Sequence, residues 1–345
     1  MSGALAPRSA APLTPADDEL TEQTRARIAG GFAANTGRAY RRDWIAFESW
    51  CLEQGRTAMP ASAATLAEYV THLAATPTRR GTPPAPSTIE RALGCIQSRH
   101  KLAGHTLDAR VARLALRDYR REYAAAGKRT RRAPAAEVDI LRRLIDATDA
   151  QTLTGLRDRA VLVLGFALMG RRSELVALDI DDIVVTRDGL EVTIRMSKTD
   201  QDARGETVPV PYGSHPDTCP VRVVQAWIAV LAEAGVTSGP LLRGVDRHGR
   251  LSGTDKATGR GGARMSGHGI NLIVRRAAEK AGLPDAEKFT AHSLRAGGAT
   301  AAARNGAPVS AIARHGRWSE NSPVVHGYVR QADKWRDNPM RGVGL

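Results

Sequence analysis

The stretch from Leu156 to Met169 constrains this chain more than any other, because it is apolar at helical spacing, has to be buried, and stops at Gly170. Its most apolar part, Ala160 to Met169, is half of what a bilayer span requires, so it predicts the central helix of a packed core. No signal peptide opens the chain. With 345 residues there is length for two domains, each with its own core.

Charge then narrows the partner. Lys and Arg number 50 against 36 Asp and Glu, a surplus of 14, which calls for a polyanion. Nucleic acid is the first candidate and a membrane surface the second, and the short apolar runs disfavour the membrane. Cys51, Cys95 and Cys219 stand singly, without the Cys-x-x-Cys spacing of a zinc site, and fit a reducing compartment. There is no internal repeat and no phosphate-cradling glycine loop, so neither ATP, a metal nor another cofactor is expected.

Residues 1–20, rich in Ala, Pro and Asp, read as a disordered tail. Four helices are then expected. Thr36 caps the first, which carries Tyr40, Trp44, Phe47, Trp50 and Cys51 inward and Arg38, Arg41 and Arg42 outward, and Gly55 ends it. The second follows Pro60 with Leu66, Val70 and Leu73. Ser87 and Glu90 form a capping box for the third, through Ile89, Leu93 and Ile96. The fourth, from about Asp108 to Ala126, shows Arg110, Arg113, Arg117, Arg120 and Arg121, and the charge continues through Lys128, Arg129, Arg131 and Arg132. Any one of these is ordinarily a solvated helix residue; nine cations in about 23 residues look like a surface and linker tracking a phosphate backbone. The expected division is a helical domain over 21–128, a basic linker over 129–136 and a second domain over 137–345.

In the second domain Glu137 to Ala147 fits a helix, the central Leu156–Met169 helix follows, and Arg171, Arg172, Ser173, Glu174 and Leu175 come directly after Gly170. Ile183–Val185, a turn at Arg187, Asp188 and Gly189, a strand from Leu190 to Met196 and the alternation Val208, Val210, Tyr212 predict a small antiparallel sheet whose second hairpin carries Lys198. Helices are expected at Pro220–Ala234 and Gly269–Ala281, with residues 243–267 a flexible connection. Thr290 then caps a helix that places His292 and Arg295 on one face, with Gly297 and Gly298 loosening it. A turn at Asn305–Pro308 precedes a helix ending at His315, Gly316, Arg317 and Trp318, and Tyr328 comes ten residues after the Trp.

Singly these are ordinary residues: a surface Arg and Glu pair, a turn Lys, a solvated His and Arg, a core Trp and a buried phenol. In this order they resemble the signature of the tyrosine recombinases, the phage integrase family. Arg171 stands in the place of the family's first catalytic Arg, Glu174 in that of its acidic partner, Lys198 in that of the general acid, and Trp318 where most relatives have a second His. The Trp-to-Tyr interval is one residue longer than the usual spacing.

The resemblance covers residues from about 36 to 335 and implies a mainly α fold with a small antiparallel sheet, built as a two-domain DNA clamp with a SAM-like core-binding domain. It implies a catalytic set of Arg171, Glu174, Lys198, His292, Arg295, Trp318 and the nucleophile Tyr328. The implied partner is double-stranded DNA with an inverted-repeat site, bound by a homotetramer at synapsis and by a monomer in solution before it, in the cytoplasm at the nucleoid. Too little chain precedes residue 36 for the further arm-binding domain of lambda-type integrases. A type IB topoisomerase, or a DNA-binding accessory protein with a dead site, are the other readings open to the sequence.

Overall fold

The structure is a computed structural model of the chain, and it describes residues 19–31, 34–128, 133–197, 205–254, 262–335 and 338–344. The chain falls into two compact units, Met1–Thr130 and Arg131–Leu345.

The first unit contains α1 (Glu22–Gly30), α2 (Ala34–Glu53), α3 (Ala63–Ala75), α4 (Pro86–Leu102) and α5 (Arg110–Ala125). Trp44, Phe47 and Trp50 repeat every three residues along α2 and bury one stripe against Leu66, Tyr69, Ile89 and Leu116. Arg91 of α4 donates to both carboxylate oxygens of buried Asp43 at 2.8 and 3.1 Å, which fixes α4 against α2. Two helix starts differ from expectation. Helix α2 begins at Ala34, so Thr36 lies inside its first turn, and α4 begins at Pro86 with Ala85 as its cap, so the Ser87–Glu90 box does not form. Proline, with no N–H to satisfy and its φ already helical, starts the helix in the place of a side-chain cap.

In the second unit the helices are α6 (Val138–Asp146), α7 (Leu153–Ala167), α8 (Arg172–Ala177), α9 (Pro220–Glu233), α10 (Gly267–Lys280), α11 (Ala291–Arg304), α12 (Val309–Gly316) and α13 (Pro323–Asp333). Strands β1 (Ile183–Val185), β2 (Gly189–Ile194) and β3 (Glu206–Pro211) pair antiparallel in that order, with Val192 opposite Ile183 and Val208. Helix α7 is buried on both sides, as its composition requires. Val161, Leu164 and Leu168 pack in one cluster with Val192, Val208 and Trp227, while Leu162 and Val163 join Leu144, Val274 and Leu294 in another. Among the described residues no helix is long and apolar enough to cross a membrane.

Two expectations are corrected here. Gly297 and Gly298 do not loosen α11, which runs unbroken to Arg304. A Cβ at Gly297 would fall 1.9 Å from the Ala136 carbonyl oxygen and one at Gly298 2.4 Å from that of Phe166, so the glycines let two other backbones touch the helix. The 243–267 connection is also anchored over its described parts. Arg243 is 6% exposed and donates to the carbonyls of Pro240, Ser238 and Ser252; Leu251 and Met265 enter the core, and residues 243 and 264 form a β-bridge. Its Gly and Arg content signalled surface, but here a guanidinium satisfies loop carbonyls that would otherwise need water. Residues 255–261 lie outside the described residues.

Candidate active site

Helix α7 ends in a tight reversal, with Met169 in the left-handed region at φ 45°. The chain then enters α8 with Arg171 as its N-cap. Buried Glu174 accepts from the Arg171 backbone N–H at 2.8 Å and from Arg171 Nη1 at 2.6 Å. A second cation, Arg317, completes this carboxylate with Nη2 at 2.9 Å from Oε2. Burial alone would raise the Glu174 pKa, but the Arg317 charge and the bonds from Arg171 outweigh it, so its carboxyl lies below the ordinary range.

Helices α11, α12 and α13 meet on Met169 through Ala299, Ala303, Ile312, Ala313 and Val325. That packing brings residues from four elements to one place. On α11, Arg295 is 3% exposed and donates through Nη1 to the Met169 carbonyl and through Nη2 to the Gly316 carbonyl at 2.6 Å. Its guanidinium lies 3.7 Å from the centre of the Trp318 ring, and that ring meets Tyr328 edge-on at 5.7 Å. Burial first, then the neighbouring Arg171, lowers the Arg295 pKa to about 9, so the group is charged at neutral pH.

Tyr328 sits on α13, and its hydroxyl is 3.1 Å from His292 Nε2. His292 is exposed at its edge, yet burial of its ring and the Arg295 charge push its pKa below 6.5. At neutral pH the imidazole is therefore neutral and, with Nε2 unprotonated, accepts from the phenol.

So Arg171, Glu174, His292, Arg295, Trp318 and Tyr328 come together, while Lys198 lies outside the described residues, three positions beyond the exposed Arg195 that pairs with Asp179 and Asp182 at 2.5 and 2.8 Å. In the first unit Arg38, Arg41 and Arg42 are exposed on α2, and Arg110, Arg113, Arg117, Arg120 and Arg121 on α5. Arg110 pairs with Asp108 at 2.7 Å and Arg120 with Glu90 at 2.8 Å, and Arg113 donates to Gln97 at 3.3 Å. Lys128 is exposed; Arg129, Arg131 and Arg132 lie outside the described residues. The far end of the expected linker is docked: Ala136 is fully buried and its N–H donates to the Ser293 carbonyl at 2.8 Å.

Sequence reasoning missed Arg317 and His315. His315 donates from Nε2 to the Ala167 carbonyl at 2.7 Å, bracing α12 against the end of α7. Arg317 is 4% exposed, although it is a charged residue in the turn after a helix and nothing in the pattern marks it as inward. The one local cue is that a cation, not a glycine, follows the apolar pattern of α12, where helices commonly turn left-handed.

Two guanidiniums, a phenol and an imidazole gathered in a mainly helical unit with a small antiparallel sheet define a tyrosine recombinase. The chain belongs to the phage integrase family of site-specific recombinases, whose model matches residues 136–334. It is 32% identical over 329 residues to the integrase/recombinase xerD homolog of Selenomonas ruminantium, covering 94% of this chain and 89% of that one. Among solved structures, the XerH recombinase in a post-cleavage complex with palindromic difH has a TM-score of 0.58 at 13% identity over 93% of this chain and 84% of that one. The Tn1549 transposon integrase with transposon right end DNA has a TM-score of 0.58 at 12% identity, over 91% and 97%. At these identities the likeness to the solved structures is one of fold.

Proposed function

We propose that Tyr328 is the nucleophile of this recombinase and that the observation carrying the assignment is its 3.1 Å contact with a neutral His292. The phenol oxygen attacks the scissile phosphorus while its proton passes to His292 Nε2. The bond from phosphorus to the 5′-oxygen breaks, Lys198 supplies the proton that oxygen takes up, and a 3′-phosphotyrosyl link with a free 5′-hydroxyl remains. The energy of the broken bond is kept in that link, so a second 5′-hydroxyl can reverse the step on a new partner. Arg171 and Arg295 hold the non-bridging oxygens, where a planar fork charged at neutral pH gives parallel hydrogen bonds. Each donor contributes about 3–4 kcal/mol in the transition state, by analogy with oxyanion-hole removals. Glu174 orients Arg171, and Trp318 spaces Arg295 from Tyr328.

The DNA is a duplex site with inverted repeats, gripped by the 21–128 and 137–345 domains together with the basic 129–136 linker. Exposed Arg38, Arg41, Arg42, Arg113, Arg117 and Arg121 supply phosphate contacts from the first domain, alongside Arg110, Arg120, Lys128, Arg129, Arg131 and Arg132. A monomer in solution becomes two copies per site and four at synapsis, and the exposed Trp335 and Met340 near the end of the chain suit docking to a neighbour. The enzyme works in the cytoplasm at the nucleoid. The test is Tyr328→Phe on a nicked duplex whose sequence the wild-type protein has selected from a random pool. Binding persists and the denaturant-resistant protein–DNA link disappears; a link that survives would make another residue the nucleophile.

A further inference from the structure

Arg317 spends two kinds of free energy to be where it is. Its backbone is left-handed, at φ 56° and ψ 47°, a region that strains any residue but glycine. Its guanidinium is also withdrawn from water, with 1% of the side chain exposed. Glycine would hold the turn with less strain, and an apolar side chain would fill the space without desolvating a charge. What the side chain makes there is a three-way tie. Nη1 donates to the His315 carbonyl at 2.8 Å, and Nη2 donates to the Leu168 carbonyl at 3.1 Å and to Glu174 Oε2 at 2.9 Å. The end of α12, the end of α7 and the first turn of α8 thus converge on one fork.

The turn's backbone has a second effect. Its left-handed geometry points consecutive carbonyls at the two phosphate-binding arginines: Gly316 O accepts from Arg295 Nη2 at 2.6 Å, and Arg317 O accepts from Arg171 Nη2 at 2.8 Å. Both guanidiniums therefore take their orientation from the peptides on either side of the Arg317 α-carbon. Arg171 is held at its other edge by Glu174, which Arg317 also holds.

We propose that Arg317 is a positioning residue for strand cleavage, aiming Arg171 and Arg295 at the phosphate through Glu174 and through its own turn. It touches no DNA. Removing its charge leaves Glu174 with Arg171 as its main cation, so that Arg171 is drawn inward to the carboxylate and away from the non-bridging oxygen. The inference rests on the assignment of Arg171 and Arg295 to the phosphate.

Two variants remove the side-chain fork, one easing the turn and the other keeping the volume. Arg317→Gly keeps the left-handed backbone and loses the fork, while Arg317→Met fills the volume and loses the charge. On the nicked duplex selected by the wild-type protein, single-turnover formation of the covalent link falls by about 100-fold in both, a loss the size of one transition-state donor. DNA affinity changes less than about threefold, because it is spread over many phosphates. Arg317→Lys, which restores charge without the fork, recovers part of the rate.

The decisive readout is coupling, which a merely structural role would leave untouched. Combined with Arg171→Ala, Arg317→Met costs little further rate, because the Arg317 side chain acts through Glu174 on Arg171 while the contact to Arg295 is made by the backbone of the turn, which Met leaves in place. Both single variants also recover towards wild type on a duplex with a neutral methylphosphonate at the scissile position, where one non-bridging charge is gone. If folded Arg317→Met, checked by its melting temperature, cleaves at the wild-type rate, or if its loss multiplies with that of Arg171→Ala, the inference is overturned. If the folded wild-type protein itself forms no covalent link, the phosphate-site assignment fails, and this inference with it.

Discussion

The Arg295 guanidinium stacks on Trp318, 3.7 Å from the centre of its ring, and the same ring closes over Gly316 so tightly that a Cβ there would lie 1.9 Å from it. Glycine at 316 thus decides where the indole lies, and the indole decides where Arg295 lies. Gly316→Ala has to displace either the ring or the turn, and in both cases the cation loses its platform. We expect covalent cleavage to fall at least about 10-fold, the equivalent of 1.4 kcal/mol, with binding to duplex DNA retained. Unchanged cleavage by a folded Gly316→Ala protein would show that the stacking is incidental.

His292 predicts a pH dependence with a definite sign. Only the neutral imidazole accepts the phenol proton, and burial and Arg295 hold its pKa below 6.5. The kcat/KM for cleavage, which reports the free enzyme, therefore falls on the acid side with a limb centred below 6.5. An acid limb centred above 6.5 would contradict the assignment. The same shift makes the fold less stable as pH falls through 6.5 towards the depressed value, since the unfolded imidazole binds its proton first.

Lys198 is testable by leaving-group chemistry. Lys198→Ala removes the acid but not the nucleophile, so a 5′-bridging sulfur, which departs without protonation, restores cleavage. Arg171→Ala and Arg295→Ala are not rescued by sulfur, since what they lack is charge stabilisation at the non-bridging oxygens. Rescue of all three variants alike would remove Lys198 from the role of acid.

Two glycines of the second unit make opposite stability predictions. Gly297→Ala drives a methyl to 1.9 Å from the Ala136 carbonyl, and since the obstacle is backbone, α11 has to shift. A cost of about 2 kcal/mol is expected, seen as a lower thermal midpoint. Gly327, inside α13, meets nothing within 4 Å, and Gly327→Ala gains about 0.5–1 kcal/mol from helix propensity.

Helix periodicity was readable from the chain because burying a stripe or a run requires apolar residues at fixed intervals. That is why the α2 aromatics, the α7 core helix and the alternation of β2 and β3 stand where the sequence predicts them. The candidate site residues were legible for a chemical reason: phosphoryl transfer by tyrosine uses few residue types, and their order along the chain carries the family resemblance. The tertiary structure alone decided which polar residues turn inward. Arg317 and Arg243 have the composition of surface loops, yet each is buried: Arg317 because the Leu168 carbonyl and the Glu174 carboxylate, far off in sequence, surround it, and Arg243 because its own loop folds the Pro240, Ser238 and Ser252 carbonyls onto it. Gly297 and Gly298 likewise look like breaks in a helix until the chains of Ala136 and Phe166 are seen to cross them. A sequence records what each residue can do locally; close approach and charge compensation belong to pairs of segments, and only the packed fold brings those pairs together.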